Sequence, residues 1–167
     1  MKRTLSLVCG LALCSLPAVA QKAGAMTDQQ FVDFAGQTDM VEANLGQLAQ
    51  TAAASQDVKD YAQTLVADHT KDYGDLMTAA HPSNLTVPTA IDSAHNKAMV
   101  DPFQKLQGAA FDHRYVAEMI AGHTKAIAVY KKEAADAQDA GLKNYAQTAL
   151  PVLQKHLDGA KALLKTK

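Results

Sequence analysis

The chain has 167 residues, with 16 Lys and Arg against 17 Asp and Glu, a formal charge of −1, no Trp and 5% aromatics. Interspersed charges of both signs lack the basic footprint of a nucleic-acid binder, and so few aromatic rings argue against an aromatic-lined ligand pocket. The length suits one domain with a buried core.

Residues 1–20 read as a signal peptide. Met1-Lys2-Arg3 is basic, Leu5 to Leu16 is apolar but too short to span a bilayer, and Ala18-Val19-Ala20 offers small residues for cleavage after Ala20. Losing Lys2 and Arg3 takes the formal charge from −1 to −3. Leu11-Ala12-Leu13-Cys14 loosely resembles a lipobox, but Leu13 stands where a small residue belongs, so secretion to the periplasm is expected over a lipid anchor. Cys9 and Cys14 leave with this segment, which removes disulfide and thiolate chemistry from residues 21–167. No second apolar run follows, so no transmembrane segment is expected after cleavage.

From Thr27 onward the apolar spacing is helical. Thr27 with Gln30 forms a capping-box pattern, and the first stripe runs Phe31, Phe34, Thr38, Glu42, Leu45, Leu48, Ala52. After a polar break at Ser55-Gln56-Asp57, a second helix carries Val58, Tyr61, Leu65, His69, Asp72 and Leu76, and should end near His81-Pro82. Three prolines from Pro82 to Pro102 mark a long connection holding one short helix, roughly Ile91 to Val100, of the length a crossover between bundle ends requires.

A third long helix begins after Gly108, with Phe111, Tyr115, Glu118, Met119, Gly122, His123, Ala126 and Tyr130 inward. The fourth follows a break at Gln138 to Gly141 and carries Leu142, Tyr145, Ala149, Val152, His156, Ala160 and Leu163, with a kink expected at Pro151. Lys161, Lys165 and Lys167 near its end complement the helix dipole.

Val58-Lys59-Asp60-Tyr61-Ala62-Gln63-Thr64 matches Leu142-Lys143-Asn144-Tyr145-Ala146-Gln147-Thr148 without a gap, and the same register sets Asp72 opposite His156. With a few residues gapped, Glu42 falls opposite His123. The pattern predicts an all-α, four-helix bundle of two pseudo-repeated hairpins. Abundant Ala on the inner faces predicts close helix approach and no wide cavity.

Glu42, His69, Asp72, His123 and His156 all sit near mid-helix on faces that otherwise read apolar. Ionisable side chains are rarely buried without partners, so this layer either pairs internally or holds a metal ion. Asp68, beside His69, and Glu118 are candidates to orient the ligands from behind. Histidine-rich sets suit zinc, copper or nickel better than iron. His81, His95 and His113 read as surface residues.

The motifs Phe31-Val32-x-x-Ala35, Glu42-x-x-Leu45-Gly46-x-Leu48-Ala49, Val66-x-Asp68-His69-x-Lys71, Phe111-Asp112-x-x-Tyr115, His123-x-Lys125 and Leu150-Pro151-x-Leu153-x-x-His156 resemble a bacterial secreted family of unknown function. Its members are often labelled "predicted outer membrane protein" and placed in the ferritin-like superfamily. The resemblance implies a ferritin-like bundle and an envelope location, with no activity to inherit. A spanning barrel would need alternating strands, which this sequence lacks.

Ferritin-like di-iron sites draw a Glu from each of two helices and a Glu-x-x-His pair from each of the others. Here His69-x-x-Asp72 reverses that order, and His123 and His156 have no carboxylate three residues earlier. With no Gly-x-Ser-x-Gly, phosphate loop or retained cysteine, hydrolase and transferase readings have no support. The expectation is a non-enzymatic binding or stress-related module whose polar core either pairs internally or holds a transition metal; the alternative is a divergent ferritin-like metal oxidase or peroxide-handling enzyme.

Overall fold

The computed structural model describes residues 26–165, so the signal peptide expected over residues 1–20 lies outside the described residues. Thr27 caps the first helix, α1 (Asp28–Ala52), through a reciprocal box: the Gln30 amide donates to Thr27 Oγ1 at 3.1 Å, and Gln30 Oε1 accepts the Thr27 amide at 2.9 Å. A tight turn leads to α2 (Gln56–Ala80), which stops two residues before Pro82. Asp112 holds that turn in place, its two carboxylate oxygens accepting the Ala54 and Ser55 amides at 3.0 and 2.9 Å.

The connection that follows returns along α1. A 3-10 turn (His81–Ser83) ends at Asn84, whose φ of 56° is in the left-handed region that Asn tolerates. Gln29 brackets Thr86, and Gln37 brackets Ala90 and Asp92, each glutamine supplying the donor and the acceptor that an extended backbone would otherwise leave to water. Asp92 then caps the short α3 (Ser93–His95), which continues through a π turn (Asn96–Val100) and a 3-10 turn (Asp101–Phe103). This helical stretch begins two residues later than the apolar spacing suggests, because the Asp92 side chain accepts the His95 amide.

The chain enters α4 (Gly108–Asp136) through Gly108 at φ 64°, and α5 (Ala140–Lys165) completes the bundle with Pro151 inside it. Contacts between α1 and α4 pair low numbers with high ones, Phe31 with Tyr130 and Glu42 with His123, so these helices are antiparallel. The same holds for α2 and α5, where Tyr61 meets His156 and Asp72 meets Tyr145. Helix directions therefore run up, down, down, up, and the crossover supplies the missing traverse. No helix among the described residues is long and apolar enough to cross a membrane.

The matched tyrosines of the repeat make reciprocal contacts. Tyr61 donates its hydroxyl to the His156 carbonyl at 2.9 Å, and Tyr145 donates to Asp72 Oδ2 at 2.7 Å, so each reaches the position that corresponds to the other's target.

Close backbone approach depends on small residues, as between α1 and α2, where a Cβ on Gly46 would lie 2.7 Å from Val66 Cγ2 and 2.9 Å from the Ala62 carbonyl oxygen. The core is in two halves. One gathers Leu45, Leu65, Phe103, Phe111, Tyr115 and Met119; the other gathers Phe31, Leu76, Tyr130, Leu142, Tyr145 and Leu153. Between them lies a layer that is not apolar.

Far from this layer, Glu133 is buried near the turn between α4 and α5, with Oε1 lacking a hydrogen-bond partner. Burial first, then the charges of Asp28, Asp139 and Asp136, push its carboxyl up to about 7. A carboxyl that binds its proton more tightly in the folded state lowers stability as pH rises from about 4.5 to 7, and the cost stays in full above that. Glu133→Gln therefore raises stability at pH 8 by roughly 1 kcal/mol after solvent screening and leaves it unchanged at pH 4. Thermal melts of both proteins across that range give the comparison; equal differences at the two pH values would contradict it.

Candidate metal centre

Each long helix contributes to the polar layer. Glu42 and Asp39 come from α1, His69 from α2, His123 from α4 and His156 from α5, and all five are buried. Position is fixed by the apolar residues on either side: His123 stands between Met119 and Ala126, His69 between Leu65 and Leu76. Gly122 leaves room for the Glu42 side chain, since a Cβ there would sit 3.3 Å from Glu42 Oε1.

Every imidazole has one nitrogen committed outward. His69 Nδ1 is 2.8 Å from Asp39 Oδ1, His123 Nδ1 is 2.8 Å from the Met119 carbonyl oxygen, and His156 Nε2 is 2.9 Å from Asp68 Oδ2. A carbonyl or carboxylate only accepts, so each of these nitrogens carries the proton, and the opposite nitrogen of a neutral ring is left with its lone pair. One ligand nitrogen from each of the three rings lies within 4.8 Å of the others, and His123 Nε2 faces His156 Nδ1. The arrangement of an acceptor behind each ring is how metal-binding histidines are oriented.

Glu42 Oε2 joins them at 3.0 Å from His69 Nε2 and 3.3 Å from His123 Nε2, and His123 Nε2 is 3.2 Å from His156 Nδ1. Ligand atoms on a tetrahedral ion with bonds of about 2.0–2.1 Å are roughly 3.3 Å apart, so these three separations match the edges of such a shell. Two further observations fit a cation. His69 Nε2 and Glu42 Oε2 are close but not aligned as a hydrogen bond, and both are buried without a hydrogen-bond partner. His123 Nε2 and His156 Nδ1 also face each other at 3.2 Å, a separation that needs a proton or a metal ion between the two nitrogens.

The electrostatics agree. Burial works to raise the Glu42 carboxyl, but His69 and His123 outweigh it and hold Glu42 below the usual carboxylate range. Burial likewise opposes charge on His69, yet Glu42 and then Asp39 hold its imidazole well above the usual value. Asp39 is pushed up to about 7 by burial against the pull of His69. Burial, with the neighbouring rings His69 and His123, outweighs Asp68 and holds His156 down at about 4. Without metal, then, the surroundings favour the protonated form of His69 and the neutral form of His156, whose Nδ1 faces inward.

Glu42, His69, His123 and His156 come together, and Asp68 stands behind His156. Asp72 does not converge: it accepts the Tyr145 hydroxyl at 2.7 Å and lines a groove at the surface of the bundle. Glu118 lies away from the centre, its Oε2 3.5 Å from Arg114. Asp39 is a functional side chain that the stripe through Thr38 passes over. Thr38 is only half-buried and bonds back to Phe34, whereas Asp39 is buried, three residues before Glu42 on the same face; that Asp-x-x-Glu spacing was its signal. His81 and His113 are exposed, and His95 is half-buried against Asp92.

No curated protein matches the sequence. Among solved structures, CopM in the Cu(II)-bound form is similar at 15% identity and a TM-score of 0.70, covering 85% of this chain and 98% of that one. CopM in the Ag-bound form gives 16% and 0.68, and in the Cu(I)-bound form 14% and 0.67, each covering 84% of this chain and 97% of that chain. At such identities the likeness shows the fold alone, an all-helical bundle. A family model described as "Domain of unknown function (DUF4142)" matches residues 14–163, most of the length, and the chain belongs to that family.

Proposed function

We propose that the protein is a periplasmic metal-binding module that holds one transition-metal ion, copper before zinc or nickel, through His69, His123, His156 and Glu42. The observation that carries this reading is the convergence of three imidazole nitrogens whose opposite nitrogens are already taken by Asp39, the Met119 carbonyl and Asp68. Imidazole suits copper and zinc, and the affinity order of divalent ions places Cu²⁺ highest. The bundles of similar shape whose structures contain copper or silver support the same choice.

Four donors complete a tetrahedral shell, which favours holding the ion over catalysis on it. A di-iron oxidase would need further inward carboxylates, and among the described residues Glu42 is the carboxylate that converges with the three imidazoles. The up, down, down, up order is compatible with ferritin-like descent. The basic start and the Ala18-Val19-Ala20 site support export, and residues 21–167 are read as one domain.

Elemental analysis of untagged protein purified from periplasmic extract is the test, paired with thermal melts on adding Cu²⁺, Zn²⁺, Ni²⁺ or Fe²⁺. One copper per chain and a raised melting temperature are expected. Absence of stoichiometric metal, together with unchanged melting for all four ions, rejects the reading.

A further inference from the structure

The three groups that hold the outer nitrogens differ in one respect. Asp39 is 2% exposed and Met119 is 1% exposed, so His69 and His123 are backed by dry protein. Asp68 is different: its side chain is 35% exposed, and it forms part of the wall of a groove of about 400 Å³ between α2 and α5. Asp72, Asp75, Tyr145, Thr148 and Val152 share that wall. His156 thus spans the thickness between water and the centre, with Nε2 on Asp68 and Nδ1 facing His123.

A shell of four buried ligands can be loaded only if one of them moves. Turning His69 would strand the Asp39 carboxylate without its partner, and turning His123 would strand the Met119 carbonyl, each in a site that water does not reach. Turning His156 breaks a bond to a carboxylate that water can solvate at once. With Lys71 on the same wall paired to Asp75, the two remaining carboxylates, Asp68 and Asp72, favour a cation in the groove. Pro151 removes one backbone hydrogen bond from α5 within two turns of His156.

We propose that the groove between α2 and α5 is the route by which the metal ion reaches and leaves the centre, with His156 as the ligand that swings and Asp68 as the latch that returns it. This rests on the metal-binding reading above and adds to it the direction of traffic and the moving part.

The test narrows the groove without touching a ligand. Val152 is 41% exposed and one turn before His156, so Val152→Trp covers the Asp68 end, and Thr148→Trp, at another exposed position, covers the Asp72 end. With Cu²⁺ as probe, uptake and chelator-driven release both slow, by about tenfold or more, while Kd stays within about twofold. Lys131→Trp, on the exposed face of α4, changes neither rate. A second readout uses metal-free protein: diethyl pyrocarbonate modifies His156 ahead of His69 and His123, and Val152→Trp slows that modification.

Wild-type rates in both groove variants, or modification of His69 or His123 before His156, would overturn the route. If the wild-type protein binds no copper, the functional reading fails instead, and the order of modification still decides whether the groove reaches His156.

Discussion

Replacing His69 with alanine destabilises the metal-free protein by about 3–5 kcal/mol, the range for removing one partner from a buried ion pair. His69 is the hydrogen-bond partner of Asp39 and the nearest positive group to Glu42, at 2.8 and 3.0 Å, and both carboxylates are buried. Its removal strips both carboxyl groups of their counter-charge and leaves them, driven toward the protonated form by burial, facing a cavity between two apolar half-cores. For a chain of this size the loss appears as a melting temperature lower by roughly 6–20 °C. Adding Asp39→Asn and Glu42→Gln to the same variant recovers part of it, because neutral amides need no counter-charge. Urea or thermal unfolding of the single and triple variants measures both effects, and a loss below about 1 kcal/mol for His69→Ala would mean that water reaches the layer.

His123→Ala lowers copper affinity by more than the roughly 10–100-fold that loss of an outer partner causes. Its Nε2 is the most connected inward nitrogen, 3.3 Å from Glu42 and 3.2 Å from His156, so its loss removes one donor and the group that positions two others. Asp68→Asn, by comparison, leaves all four inward donors in place and falls within that 10–100-fold range. Competition titration with Cu²⁺ separates the two. Copper at a hundred times Kd adds about 2.7 kcal/mol to wild-type stability, and that increment is absent from His123→Ala at the same concentration. Retained wild-type affinity in His123→Ala would move the binding site elsewhere, with the exposed His81 and His113 the first places to look.

The helices were legible because their signals are local. Thr27 with Gln30 starts α1, Pro82 ends α2, Gly108 opens α4, and the apolar spacing between such markers has one reading. The crossover was legible only as a length, since its path depends on Gln29 and Gln37 reaching backbone groups more than fifty positions away. The centre was visible in part: a polar residue on an apolar stripe is a strong sign when the side chain is as large as His or Glu. Asp72 shows where that logic stops, because three residues along a helix is less than one turn, and the offset is enough to place it against Tyr145 on α5. Asp39 and the Met119 carbonyl show the converse. A short carboxylate beside a stripe and a backbone oxygen become partners only once the rings they hold are positioned.

The reciprocal contacts of Tyr61 and Tyr145 imply an approximate twofold axis between α2 and α5. Two identical hairpins docked about such an axis would form a symmetric dimer, in which every residue near the axis occurs twice and both faces of the assembly are alike. Joining the copies into one chain removes that constraint. Positions 72 and 156 correspond across the repeat, yet one is now an aspartate at the water's edge and the other an imidazole turned toward the interior. Lost symmetry is thus what gives this bundle an inside and an outside at the same height, one of the paired positions facing the centre and the other facing water.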